Sequence, residues 1–273
     1  MRKYKVGEYG FIATEQFLLD VAKGIVPGHS PINKFGRAPT GVQSTTTDIW
    51  DRATAAPTQP VWLAPTAARI HNIASDNSAD DGTPEGDGAG AQAIRIWGLK
   101  TWASTETFED VVLNGTANVA TANSYVIIHR MKIIRVGATF ALNVGAISAT
   151  AVDDATVTAQ INDGEGQTQM AVYGIPSNHI AYLIDYYGTI NKAQGAAATI
   201  NFSFKIADEP TIDPAIFLTK NTRGIQSTGK SGDTWPWKPY MRVEGPAIVK
   251  VSGIASANDA EGSGGFNGVL VKN

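Results

Sequence analysis

Apolar and polar residues alternate most cleanly over 200–206. Ile200, Phe202, Phe204 and Ile206 are apolar, while Asn201, Ser203 and Lys205 are polar. A period of two marks a half-buried strand. Further strands are predicted at 94–97, 108–113, 125–136, 155–161, 168–175, 181–187, 215–218, 241–243, 247–251 and 268–271. The run 125–136 is apolar on both sides in places, as a strand near a sheet centre is. Asn114-Gly115 follows Val111-Val112-Leu113 and predicts a tight hairpin turn, since both residues tolerate positive φ. About eleven strands punctuated by Gly, Asn and Asp predict an all-β chain, built as one jelly-roll-like β-sandwich or as two smaller β units.

The first 60 residues read differently. The pattern predicts one helix over 14–23. Thr14 suits its cap, Glu15 and Gln16 its first turn and Gly24 its end. Phe17, Leu18, Val21 and Ile25 then share one face. Pro27, Gly28, Pro31, Gly36, Pro39 and Gly41 follow, a density of breakers that excludes a regular element. Ile32, Phe35, Ile49 and Trp50 nevertheless run through this stretch, and a free linker would not carry them. The expected organisation is an extended N-terminal arm with one short helix, 1–60, that docks on a partner, and a β-sandwich body, 61–273. The residues expected to make partner contact are Asn33, Lys34, Phe35, Ile49 and Trp50, then Phe17 and Leu18 of the helix. On this reading, deletion of residues 1–45 leaves a folded body that no longer binds.

Charge fits an arm. Through Gln43 there are six basic and three acidic residues, whereas the whole chain carries −3. A basic arm on an acidic body suits an acidic neighbour. The same net charge argues against a nucleic-acid binder that works by bulk positive charge. Charged residues are 17% of the 273 and hydrophobic residues 43%, so the chain has a core to bury and is not an acidic or basic tail. Cysteine is absent, which excludes disulfides, thiolate metal sites and cysteine nucleophiles. No apolar run approaches a membrane span, and the first ten residues lack a signal-peptide core, so a protein that is made in a cytoplasm and stays soluble is expected.

Candidate chemistry is sparse. Gly224 to Ser231 fits the phosphate-loop pattern G-x-x-x-x-G-K-[ST]. That loop needs a following helix, and Gly232, Pro236 and Pro239 forbid one, so a long hairpin loop is expected. The polar stretch 74–91 offers Asp76, Asp80, Asp81, Glu85 and Asp87 but no calcium-loop spacing, and predicts a solvated surface loop. His29, His71, His129 and His179 show no metal-ligand spacing, and His129 reads as a packed strand residue. No catalytic residue, metal or cofactor is expected. Trp235, Trp237 and Tyr240 could form an aromatic platform for a sugar or subunit, or fold back on the sandwich.

An ordered set of segments carries a resemblance. It comprises Asn33 to Gly36, Asp48 to Asp51, Gly88 to Leu99, Glu109 to Thr116, Thr121 to Tyr125, Arg130-Met131, Gly166 to Pro176 and Gly264 to Val271. Together they resemble virion structural proteins of tailed bacteriophages, over most of the chain from about residue 30. Lys100 stands after Gly98-Leu99 where that group has Asp. The resemblance implies a particle protein, located in the virion and made in the host cytoplasm. The expectation is a capsid decoration (cement) protein whose partners are the major capsid protein and its own copies, most simply as a trimer, with neither nucleic acid nor membrane bound. A tail, neck or fibre component and a carbohydrate-binding module are the other readings.

Overall fold

The computed structural model describes residues 14–53, 59–83, 88–139, 141–192, 198–229, 231–256 and 260–273. The predicted helix is present as α1 (Thr14–Ala22). Gly24 ends it at φ +68°. Its amide donates to Val21 O and the Ile25 amide to Asp20 O, the two bonds of a Schellman cap.

Sixteen strands follow among the described residues. They are β1 (His29–Val42), β2 (Thr47–Asp48), β3 (His71–Ser75), β4 (Ala91–Leu99), β5 (Thr107–Val112), β6 (Val119–Ala120), β7 (Ile127–Val136) and β8 (Ile147–Ala151). Then come β9 (Val157–Ile161), β10 (Val172–Ile175), β11 (His179–Lys192), β12 (Thr199–Ala207), β13 (Leu218–Gln226), β14 (Gly232–Glu244), β15 (Ala247–Ala255) and β16 (Ala260–Lys272).

Eight of these strands make one sandwich. Its sheets read β1-β16-β11-β14 and β10-β15-β12-β13. Numbered one to eight along the chain, the orders are 1-8-3-6 and 2-7-4-5. First pairs with last, second with seventh, third with sixth and fourth with fifth, all antiparallel. This is a long hairpin rolled up on itself, the eight-stranded jelly roll. Its core holds Tyr186, Phe202, Phe204 and Phe266, with Phe204 edge-on to Phe266 at 5.5 Å. The alternation over 200–206 is realised in β12, where Ile200, Phe202, Phe204 and Ile206 are buried.

The other strands are inserted between the first and second jelly-roll strands. The sheets β6-β3-β8-β9 and β5-β4-β7 close over a second core of Trp50, Trp62, Ile94, Ile96, Tyr125 and Met131. Burying each large side chain of this kind contributes about 1.5–3 kcal/mol. The chain thus contains the expected jelly roll and, inserted in it, a second β unit that the single-sandwich expectation lacked. β15 is their shared wall. Val249 and Val251 face the jelly-roll core, and Ile248 joins the second core. That is why 247–251 is apolar on both faces save at Lys250, which is buried as well.

The N-terminal arm is the main correction. The stretch rich in Pro and Gly is β1, paired with β16 along nearly its whole length. β1 is an edge strand with one partner, a position that tolerates Pro31 and Pro39. Gly36 is required where the two units meet: a Cβ there would lie 2.2 Å from Ile49 O and 2.6 Å from Ala171 N. Ile49 and Trp50 are fully buried, one in each core. The expected boundary at 60/61 is not a break in packing, because residues 29–53 belong to both units.

One cation of the expected basic arm is paired inside the chain. Arg37 pairs with Glu261 and Glu165. Smaller differences have local causes. Asp153 and Ala155 sit at positive φ, so β9 starts only at Val157. Asn114-Gly115 does turn the chain, with Gly115 at φ +54°. The turn leads from β5 into β6 of the other sheet and so makes no hairpin. β14 is far longer than the predicted 241–243, since Pro236 and Pro239 lie on a sheet edge. β2, β3, β6 and β8 match no predicted strand, and the predicted 215–218 meets β13 only at Leu218.

Candidate functional site

The phosphate-loop pattern spans the end of β13 and the turn into β14. That turn carries the chain from one jelly-roll sheet to the other, and no helix follows. Lys230 lies outside the described residues.

The acidic stretch is a built structure as much as a surface loop. The Asp80 carboxylate is buried and accepts from Ser75 Oγ at 2.6 Å and from the amides of Ala91, Val144 and Gly145 at 2.8–2.9 Å. It ties β3, β4 and the segment before β8 together. Asp76 accepts from the Ala146 amide, and Asp81 caps Thr83. Glu85 and Asp87 lie outside the described residues. Among the described residues, no group of three or more His, Asp or Glu is placed to hold a metal ion. No described helix is long and apolar enough to cross a membrane.

The aromatic platform is turned inward. Trp235 and Trp237 pack on Tyr186 at ring distances of 4.8 and 5.7 Å, and on Phe202 and Phe204. Tyr240 alone of the three is exposed.

A cleft lies at the seam between the two units. It has a volume of about 510 Å³ and is lined by β1, Trp97 of β4, Glu106, His129 and Arg130 of β7, Gln167 and Tyr173. Lys34 enters it from β1. Its ammonium donates to the backbone oxygen of His129. His129 Nε2 stands 2.6 Å from Glu106 Oε2, and its ring lies on Tyr173 at 4.5 Å. Burial lowers the His129 pKa and outweighs the attraction of Glu106. The ring is therefore neutral, with Nε2–H donating to the carboxylate. His129 Nδ1 is buried without a partner among the described residues. Burial pushes Glu106 upward, but its bond to His129 and the positive charges of Lys34 and Arg130 hold it below the usual carboxylate range.

Lys34 is brought down to about 7, first by burial and then by repulsion from Arg130. The folded chain thus releases a proton that the unfolded chain keeps to about pH 10.5. Between these values the unfolded state binds more protons, so the contribution of Lys34 to stability rises with pH. Denaturant titrations at pH 7 and pH 9 test this. Wild type is expected to gain on Lys34→Met between the two, and a difference independent of pH would refute the assignment.

Of the residues expected to contact a partner, the structure gathers none into one exposed patch. Lys34 is in the cleft. Asn33 is exposed and donates to Asn267, which in turn donates to Asp185 across the sheet. Phe35 is 37% exposed beside the cleft. Phe17 and Leu18 are half-buried, with Phe17 edge-on to His29 at 5.8 Å. Ile49 and Trp50 cannot reach a partner. The cleft residues Glu106 and Tyr173 carried no signal in the sequence, because Lys34 meets His129 across 95 positions.

No protein-family model, curated protein or solved structure matches this chain.

The cleft presents one ammonium, one guanidinium and one carboxylate between aromatic walls. That chemistry suits holding a polar group at the junction of the two units. The bond between His129 and Glu106 fixes the side chain of the residue whose backbone oxygen accepts from Lys34.

Proposed function

We propose that this chain is a non-enzymatic structural protein of a tailed-bacteriophage particle: a decoration (cement) protein that binds the major capsid protein, stabilises the shell and associates as a trimer. The supporting observation is the strand order. The eight-stranded jelly roll recurs in viral capsid and lectin domains and in cupins. A fold alone does not choose among these. The resemblance to virion proteins does, and its segments fall on the architecture. Asn33 to Gly36 lie in β1, Asp48 to Asp51 at the crossing into the insertion, Gly166 to Pro176 at the return into β10, and Gly264 to Val271 in β16. The second and third of these join the inserted unit to the jelly roll, and the first and last pair as its first and eighth strands.

Docking by an arm of 60 residues is replaced by a smaller element. α1 precedes the first jelly-roll strand, with Phe17 and Leu18 half-buried and Leu19 46% exposed. It can seat on a neighbour without unpicking the sandwich.

Copy number per purified particle tests the reading, by gel densitometry against the major capsid protein. Roughly one copy for every one to three capsid subunits is expected of a symmetric shell component. A ratio of a few per cent moves the chain to the tail or neck. Absence from particles overturns the proposal and returns a binding module or an enzyme to the front.

A further inference from the structure

The outer face of the sheet β5-β4-β7 carries an ordered aromatic and cationic ladder. In register, Trp97 lies opposite Phe108 on one side and Arg130 on the other, and Arg95 lies between Asp110 and Lys132. The Arg95 guanidinium sits 4.2 Å from the Phe108 ring centroid, and that of Arg130 sits 5.1 Å from Trp97. Phe108 is 53% exposed and Ile134 43%.

The charges on this face are unevenly matched. Asp110 takes Arg95 in a two-point grip at 2.7 and 2.9 Å. Arg130 and Lys132 are exposed and have no carboxylate within ion-pair distance among the described residues. Arg130 makes one long bond, 3.3 Å, to the neutral Gln167. The face is therefore locally cationic on a chain whose net charge is −3. Trp, Phe and Arg together, with apolar neighbours, are the composition of a protein–protein hot spot.

We infer that the β5-β4-β7 face is a docking surface for an acidic segment of another protein. That segment would lay apolar side chains on Phe108 and Ile134 and carboxylates on Arg130 and Lys132. Three observations select this occupant. A second copy presenting the same face would bring like charge to like charge. A nucleic acid would meet two unmatched cations on an acidic chain, too few to offset repulsion of a polyanion. A sugar would need an open aromatic face, and guanidinium groups already lie over Trp97 and Phe108. The inference does not rest on the particle reading, and its test uses no particle.

The test is fluorescence anisotropy on the full chain. The probe is a short labelled peptide alternating Glu and Leu, with a Lys-for-Glu counterpart as control. The variants are Arg130→Glu with Lys132→Glu, and Phe108→Ser. All three side chains are exposed, and an unchanged thermal midpoint confirms the fold. The Glu peptide is expected to bind and the Lys peptide not. Charge reversal should weaken the Glu peptide by about tenfold or more, and added salt should weaken it in wild type. Phe108→Ser should weaken it at any salt. Failure of the Glu peptide to bind overturns the inference, as does binding that neither variant changes. Two further results also overturn it: an oligo-dT strand that binds more tightly with the same sensitivity to charge reversal, and a self-association of wild type that charge reversal abolishes.

Discussion

Deletion of residues 1–45 is expected to abolish folding, while deletion of residues 1–26 leaves a cooperatively folded protein. The longer deletion removes β1, the first strand of the jelly roll. It takes away Ile32, Ala38 and Val42 from the core and exposes the whole edge of β16. An open, partly apolar edge carrying Phe266, Val269 and Leu270 is a template for aggregation. It also removes Lys34 and Gly36, the contacts at the seam with the inserted unit. The shorter deletion loses α1, whose one fully buried apolar side chain is Val21. Burial of that side chain contributes about 1.5–3 kcal/mol. Circular dichroism and thermal unfolding of the two truncations decide the matter. A soluble 46–273 fragment with native spectra and a sharp transition would mean that residues 29–45 are an arm after all.

Asp48→Ala is expected to be the most damaging single substitution tested at neutral pH. Asp48 is fully buried where the chain leaves the jelly roll for the insertion. Its carboxylate receives Lys250 Nζ at 2.6 Å, Ser252 Oγ at 2.6 Å and the Trp62 amide at 2.8 Å. Lys250 is itself buried on β15, with Phe217 3.8 Å from its ammonium. Burial lowers the Lys250 pKa, and Asp48 opposes that shift. Removing Asp48 strands a buried cation, at a cost of about 3–5 kcal/mol. For a chain of this size that lowers Tm by on the order of 10 °C. The double variant Asp48→Asn with Lys250→Met removes both charges together and should recover much of the loss. Should Asp48→Ala melt within a degree or two of wild type, the pair is not what pins the insertion.

Much of the fold was legible because it rests on local pattern. The alternation in 200–206, the strand at 247–251 and the Gly24 stop each map onto one element. Their chemistry depends only on neighbours in the chain. The functional side was legible in part. His129 reads correctly as a packed strand residue, and the Trp235 and Trp237 rings fold back on the sandwich. The arm was misread because breakers weigh against a strand wherever its place in a sheet is unknown. On an edge, Pro31 and Pro39 cost little. At a crossing, Gly36 is required. Trp50 and Ile49 do need cover, and the chain itself supplies it: the second unit buries Trp50 and the jelly-roll core buries Ile49.

The sequence by itself determined the all-β class, the helix with its stop, most strand positions and the absence of thiol chemistry, since these follow from residue types and periods. Tertiary structure alone decided the 1-8-3-6 and 2-7-4-5 strand order, the insertion after the first strand, the Lys34–His129–Glu106 cleft and the ladder on Trp97. Each of these depends on residues tens to hundreds of positions apart. Their meeting is set by which edges pair and which faces bury the most apolar surface, a choice made by the whole chain at once.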